Sequence, residues 1–220
     1  SAQKVYQSIA KNIQQQDNEL YEKVKAHFDL IEDEQVTFTH MAEAIAAFIR
    51  SKFAIKNTKF HKFIFDSQSL SEDEFQGALL FYGKAKCSTC HSGSYLTDFS
   101  FHSLALFQLG FGKNGFGVDY GRYNVTHDPK DLYKFRTPPL YNVSKTAPYG
   151  HSGSINNLES MVVAHFDPLS LIDPQAWTVG ERTEYYKRLV SAAENLIQIP
   201  YLTDKEVAQI LTFLETLEYE

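Results

Sequence analysis

Cys87-Ser88-Thr89-Cys90-His91 constrains this chain more than any other stretch. It contains the only two cysteines in 220 residues, and a histidine directly follows the second. This is the attachment pattern of a c-type haem. Each thiol can form a thioether to one haem vinyl group. On a helical segment Cys87 and Cys90 are i, i+3 and share a face. The same spacing carries the His91 imidazole to the iron as proximal ligand. A Cys-x-x-Cys also occurs in redox dithiols and in half of a zinc site. Zinc would need two further ligands, and a dithiol site would want a βαβ setting that the flanks do not suggest. Covalent haem is therefore the expectation.

A haem needs a large apolar enclosure. The chain is long enough to bury one, as one large domain or two small ones. Its 17 Phe and 13 Tyr could line it, although ordinary core packing uses such residues too. The formal charge is −6. That balance, with no basic stripe, argues against nucleic acid. It would suit a basic redox partner or simply solubility. No apolar run is long enough to span a membrane. Covalent haem attachment normally occurs outside the cytoplasm, so a periplasmic location is expected. The start shows no basic and apolar leader pattern, so a leader is expected to have been removed.

The hydrophobic spacing predicts an all-α fold. Two helices are expected over residues 1–30, breaking around Asp17–Glu19. An amphipathic helix follows over 36–55, capped by Thr39, with Met41, Ala44, Ile45, Phe48 and Ile49 as a core stripe. After a connector, Ser71 and Glu74 form a capping box, with Leu70 and Phe75 as its staple. That helix runs to Gly83, expected as a left-handed cap. Residues 92–135 read as loop. Gly110-Phe111-Gly112-Lys113-Asn114-Gly115 spells G-x-G-x-x-G, but it neither opens a helix nor sits in a βαβ unit, so it is not a dinucleotide site. Glycines there should let backbone pass close to a bulky group. Helices are expected after Asn157, over 181–198, and after Thr203, the last with a Thr203/Glu206 capping box. The weak seam near residues 66–71 suggests a helical segment over 1–68 and a haem domain over 69–220.

Several fragments in order carry a family resemblance. They are Ala44–Arg50, Leu70-Ser71, Gly83–Lys86 leading into the cysteines with Ser92-Gly93, Phe101-His102, Asp119–Arg122, Phe135–Pro138, and Ala147–Gly153 with Leu158-Glu159. With these, the chain resembles the C-terminal part of the bacterial dihaem cytochrome c peroxidases and MauG-like proteins. The resemblance implies a cytochrome-c-like haem domain with extended loops, plus a helical remnant of an N-terminal domain. Such proteins pair a peroxide- or oxygen-reactive haem with an electron-transfer haem. By position, the single motif here matches the electron-transfer one.

The resemblance also implies a sixth iron ligand at His165, where peroxidases have Met and MauG has Tyr. Met161, one turn earlier on the same face, or a five-coordinate iron is the alternative. Arg136 is implied near a haem propionate, with a surface ion pair as the plain reading. His151 is implied to hydrogen-bond near the haem, and His102 reads as structural. Main-chain carbonyls of Thr146 and Pro148 are implied calcium ligands. A second haem c is expected if an N-terminal segment exists. The implied partners are that N-terminal haem domain and a redox protein, either a small cytochrome or a cupredoxin. The function expected is electron relay to or from the reactive haem. A non-enzymatic monohaem carrier and a haem-based ligand sensor are the other readings.

Overall fold

The computed structural model describes residues 2–31, 33–52 and 57–219. The chain forms two compact units, Ser1–Ala54 and Ile55–Glu220.

The first unit contains α1 (Ala2–Gln16), α2 (Asn18–His27) and α3 (Phe38–Lys52). Asp17 separates the first two helices because its carboxylate accepts from Leu20 N at 2.9 Å, capping α2. Among its described residues Tyr21 and Val36 are buried, and the Tyr21 hydroxyl accepts from Val36 N at 3.3 Å. Tyr6 stacks on Phe38 with ring centroids 3.9 Å apart. Two expectations change here. The α3 cap is Thr37, whose hydroxyl accepts from His40 N at 3.4 Å, and not Thr39, which lies inside the helix. The expected core stripe is largely exposed, with Ile45 at 59%, Phe48 at 57% and Ile49 at 48%. Three short helices offer too little surface to cover a whole apolar face. Positions 53–55 of the expected helix lie outside the described residues.

The second unit contains α4 (Lys59–Phe65), α5 (Glu72–Tyr82), α6 (Tyr123–Thr126), α7 (Leu158–Val163), α8 (Val179–Gln198) and α9 (Asp204–Glu215). Its frame is α5 packed on α9, around Phe81, Ile210, Phe213 and Leu217, each at most 1% exposed. Both helices start at full capping boxes, Ser71/Glu74 and Thr203/Glu206, as the sequence predicts. Gly77 makes the crossing possible, because a Cβ there would lie 2.0 Å from the Gln209 carbonyl oxygen. The short α4 joins this unit: Phe60 N donates to Thr216 O at 3.0 Å and its ring meets Phe213 edge-on. The packing boundary therefore falls before α4, earlier than the seam expected at 68/69.

The loops are pinned rather than loose. Strand β1 (Phe101–His102) pairs antiparallel with β4 (Phe135–Arg136), matching Phe101 to Arg136 and His102 to Phe135. The G-x-G-x-x-G stretch is a hairpin of β2 (Phe111–Gly112) and β3 (Gly115–Phe116). Its glycines do serve close approach, but to backbone: a Cβ on Gly112 would sit 2.1 Å from Val118 O. Helix α8 backs the loops from behind. Tyr185 donates to Ala105 O at 2.8 Å, Ser191 to Leu132 O at 2.6 Å and Asn195 to Ser103 O at 2.8 Å. Residues 168–171 form a separate 3-10 turn capped by Asp167 rather than a simple end to α7.

Candidate haem site

Four residues separate the end of α5 from the motif. Gly83 closes it, but with φ −117° and not in the left-handed region. A glycine is needed there because a Cβ would meet Leu79 O at 2.6 Å. The left-handed residue is Lys86, φ 54°, which turns the chain into a 3-10 turn over Cys87–Thr89. His91 N and Cys90 N both donate to Cys87 O, at 2.9 and 3.3 Å. The motif is thus one tight turn whose three functional side chains border a single cavity of about 640 Å³. That volume is in the range of small-molecule and cofactor pockets.

The same cavity is bordered by Arg136, Thr146, Pro148, His151, Met161 and His165. Residues spread over 79 positions of sequence, from 87 to 165, therefore converge on one site. His91 and His165 meet in this cavity, with ring centroids 6.4 Å apart and planes at 61°. His91 Nδ1 lies 3.1 Å from Leu96 O, and His165 Nδ1 lies 2.7 Å from Met161 O. Each contact suits an Nδ1–H donor, which makes Nε2 the lone-pair nitrogen. Burial pushes the His91 pKa down to about 4, with a further push from His165. Burial lowers His165 as well. Both shifts favour the neutral imidazole, the form that ligates iron.

These residues fit a haem. One metal ion held between two imidazoles, with bonds of about 2.0–2.1 Å and roughly 1.1 Å more to each ring centre, would want centroids about 6.3 Å apart. The observed separation is 6.4 Å. Both cysteines are free, and burial pushes the Cys87 thiol up to about 12 and raises Cys90. Neutral, partly buried thiols suit an apolar ligand better than a charged one.

Other groups fill supporting places. His102 Nε2 lies 2.7 Å from Asp98 Oδ2. Cys90, Asp98 and His102 are the group of possible metal ligands found among the described residues. A structural zinc site takes four ligands, and Asp98 and His102 already engage each other. His151 stacks on Phe135 at 3.8 Å and meets Asp119 at 3.0 Å, so its ring is already engaged on both counts. Arg136 is exposed, donates to Phe99 O at 3.2 Å and lies over the Phe99 ring. Sequence reasoning passed over Arg188 and Asn195, which also border the cavity from α8. Their spacing of i, i+7 places them on one helix face.

No family model matches the chain. Cytochrome-c peroxidase IdrP1 of Denitromonas iodatirespirans is 33% identical over 175 residues, covering 69% of this chain and 42% of that protein. Methylamine utilization protein MauG of Methylorubrum extorquens is 29% identical over 130 residues, covering 59% of this chain and 35% of that protein. A crystal structure of a MauG-like protein associated with microbial copper homeostasis superposes with TM-score 0.60 at 28% identity, over 74% of this chain and 52% of that one. The chain belongs to the bacterial dihaem cytochrome c peroxidase and MauG-like family. Its relatives imply haem c as the cofactor. The fold of small helices and extended loops around one cavity is the fold of these neighbours. The chain spans less than half the length of the curated relatives it matches.

Proposed function

We propose that this chain holds the electron-transfer haem of a peroxidase or MauG-type oxidoreductase, attached at Cys87 and Cys90 and ligated by His91 and His165. The observation that carries this reading is the facing pair of neutral imidazoles, each oriented through Nδ1 by a backbone carbonyl. When bound, haem c supplies a one-electron carrier. His91 and His165 would together hold the iron, which would leave no open position for peroxide or oxygen and suit the centre to electron relay rather than substrate activation. The lining of Phe81, Leu140, Ile210 and Leu214 excludes water and limits reorganisation when the charge changes.

The reactive haem of such a relay lies outside these residues, which contain one Cys-x-x-Cys-His. Residues 1–54 would be the closing helices of the domain that carries it. Calcium would sit at the Thr146 and Pro148 carbonyls, oxygen donors suited to a hard cation. The electron donor would be a small cytochrome or cupredoxin in the periplasm. Relatives named cytochrome c551 peroxidase support a cytochrome. No helix among the described residues is long and apolar enough to cross a membrane.

The test is haem staining of a denaturing gel, haem quantitation and the ferric spectrum of the full-length protein. Covalent haem that the Cys87→Ala/Cys90→Ala variant loses, with a low-spin bis-imidazole spectrum, is the expected result. A methionine-to-iron charge-transfer band would overturn the His165 assignment. The single motif also favours a second reading, a monohaem electron carrier. Two haems per full-length chain would select the relay, and one the carrier.

A further inference from the structure

Arg188 is a charged side chain only 4% exposed, on the inner face of α8 at the cavity wall. Its Nη2 donates to Gly117 O at 2.7 Å and its Nη1 reaches Leu106 O at 3.4 Å. Its Nε has no partner. The one carboxylate nearby does not neutralise it. Glu184 Oε1 is 4.0 Å away and already accepts from the Tyr133 hydroxyl at 2.5 Å, while Oε2 pairs with Lys187 at 3.1 Å. A guanidinium this buried, held by two carbonyls, the Tyr133 ring at 5.7 Å and one long, shared carboxylate contact, is costly unless a further anion completes it. The cavity it borders is otherwise mostly apolar, so that anion should arrive with the ligand.

We propose that Arg188 is the buried cationic partner of a carboxylate on the cofactor, a haem propionate. This rests on the haem reading above and adds a residue which that reading did not use. Arg136, by contrast, is exposed, and its Nε donates to Phe99 O. Arg188 is enclosed and short of a counter-charge, and it is the group whose loss the haem would register. A fixed positive charge near one carboxylate keeps that carboxylate ionised and favours the reduced iron.

The experiment uses full-length protein with Arg188→Gln and Arg188→Lys. Haem staining comes first: a wild-type protein without covalent haem would defeat the haem reading itself, separately from this inference. With haem present, Arg188→Gln should shift the reduction equilibrium about tenfold toward ferric, about 59 mV for a one-electron couple. It should also make the midpoint potential depend on pH near neutrality, as the unpaired carboxylate begins to titrate. Arg188→Lys keeps the charge and should stay within about twofold of wild type in that equilibrium, even if its stability falls. A haem-loaded Arg188→Gln protein with unchanged potential and unchanged pH dependence would overturn the proposal. If the Gln variant fails to fold, a folded Lys variant with the full tenfold shift would overturn it equally.

Discussion

His165 donates from Nδ1 to the carbonyl oxygen of Met161, one helical turn earlier, at 2.7 Å. Both side chains border the cavity, but this bond fixes the His165 tautomer and leaves the lone pair at Nε2, on a ring 6.4 Å from that of His91. His165→Ala should therefore give a high-spin ferric spectrum, and the ferrous form should bind added carbon monoxide, which the wild type should not. His165→Met should return a six-coordinate centre with a higher potential, by on the order of 0.1 V within the about 0.8 V that axial ligands span. Absorption spectra and a redox titration read both outcomes.

Gly77 sets the distance between α5 and α9. In Gly77→Ala the new methyl would lie 2.0 Å from Gln209 O and 2.8 Å from Phe213 Cβ. The helices would have to part, so stability should fall by about 3 kcal/mol. Urea unfolding should show a lower midpoint with an unchanged slope.

Glu206 caps α9 and receives Lys84 Nζ at 2.6 Å. The Lys84 hydrogen bond, then the Thr203 backbone N–H, hold its carboxyl down to about 2, against an ordinary value of 4.5. A depressed carboxylate stabilises the fold above its unfolded pKa, and that contribution disappears as pH falls from 4.5 toward 2. Acid unfolding should therefore steepen in this window, and Glu206→Gln should flatten that part of the profile. Unfolding midpoints measured as a function of pH decide it.

Thr178 opens α8 with a capping box: Glu181 N donates to its hydroxyl at 3.3 Å, and Thr178 N donates to Glu181 Oε2 at 2.8 Å. Thr178→Ala should cost about 1 kcal/mol and speed amide exchange in the first turn. The cavity face of α8 begins two turns later, so the haem spectrum should not change.

The sequence was most legible where chemistry is local. The motif turn and the Ser71/Glu74 and Thr203/Glu206 capping boxes need only a few residues each, and all formed as expected. The same signature at Thr178/Glu181 was missed because Gly180 weakens the helical reading of that first turn. Gly83 was read as a left-handed cap, but its reason is the nearby Leu79 carbonyl, which depends on how the chain folds back. Met41 to Ile49 had the right periodicity for a helix, yet periodicity does not say whether enough partner surface exists to bury the stripe. Arg188 was invisible for the opposite reason. Beside Lys187 it looks like part of a solvated face, and only the loops carrying Leu106 and Gly117 enclose it.

The α5–α9 frame joins residues far apart in the chain: Lys84 to Glu206, and Asp73 to Gln209. Leu202, Ile210 and Leu214, which wall the cavity beside the cysteines, belong to the same late stretch. Synthesis runs from the N-terminus, so the cysteine turn emerges more than a hundred residues before the wall that encloses it. The cysteine turn lacks that wall until residues 202–214 have been added. The fold thus leaves an interval in which a bulky prosthetic group can be fastened before the last helix closes the door behind it.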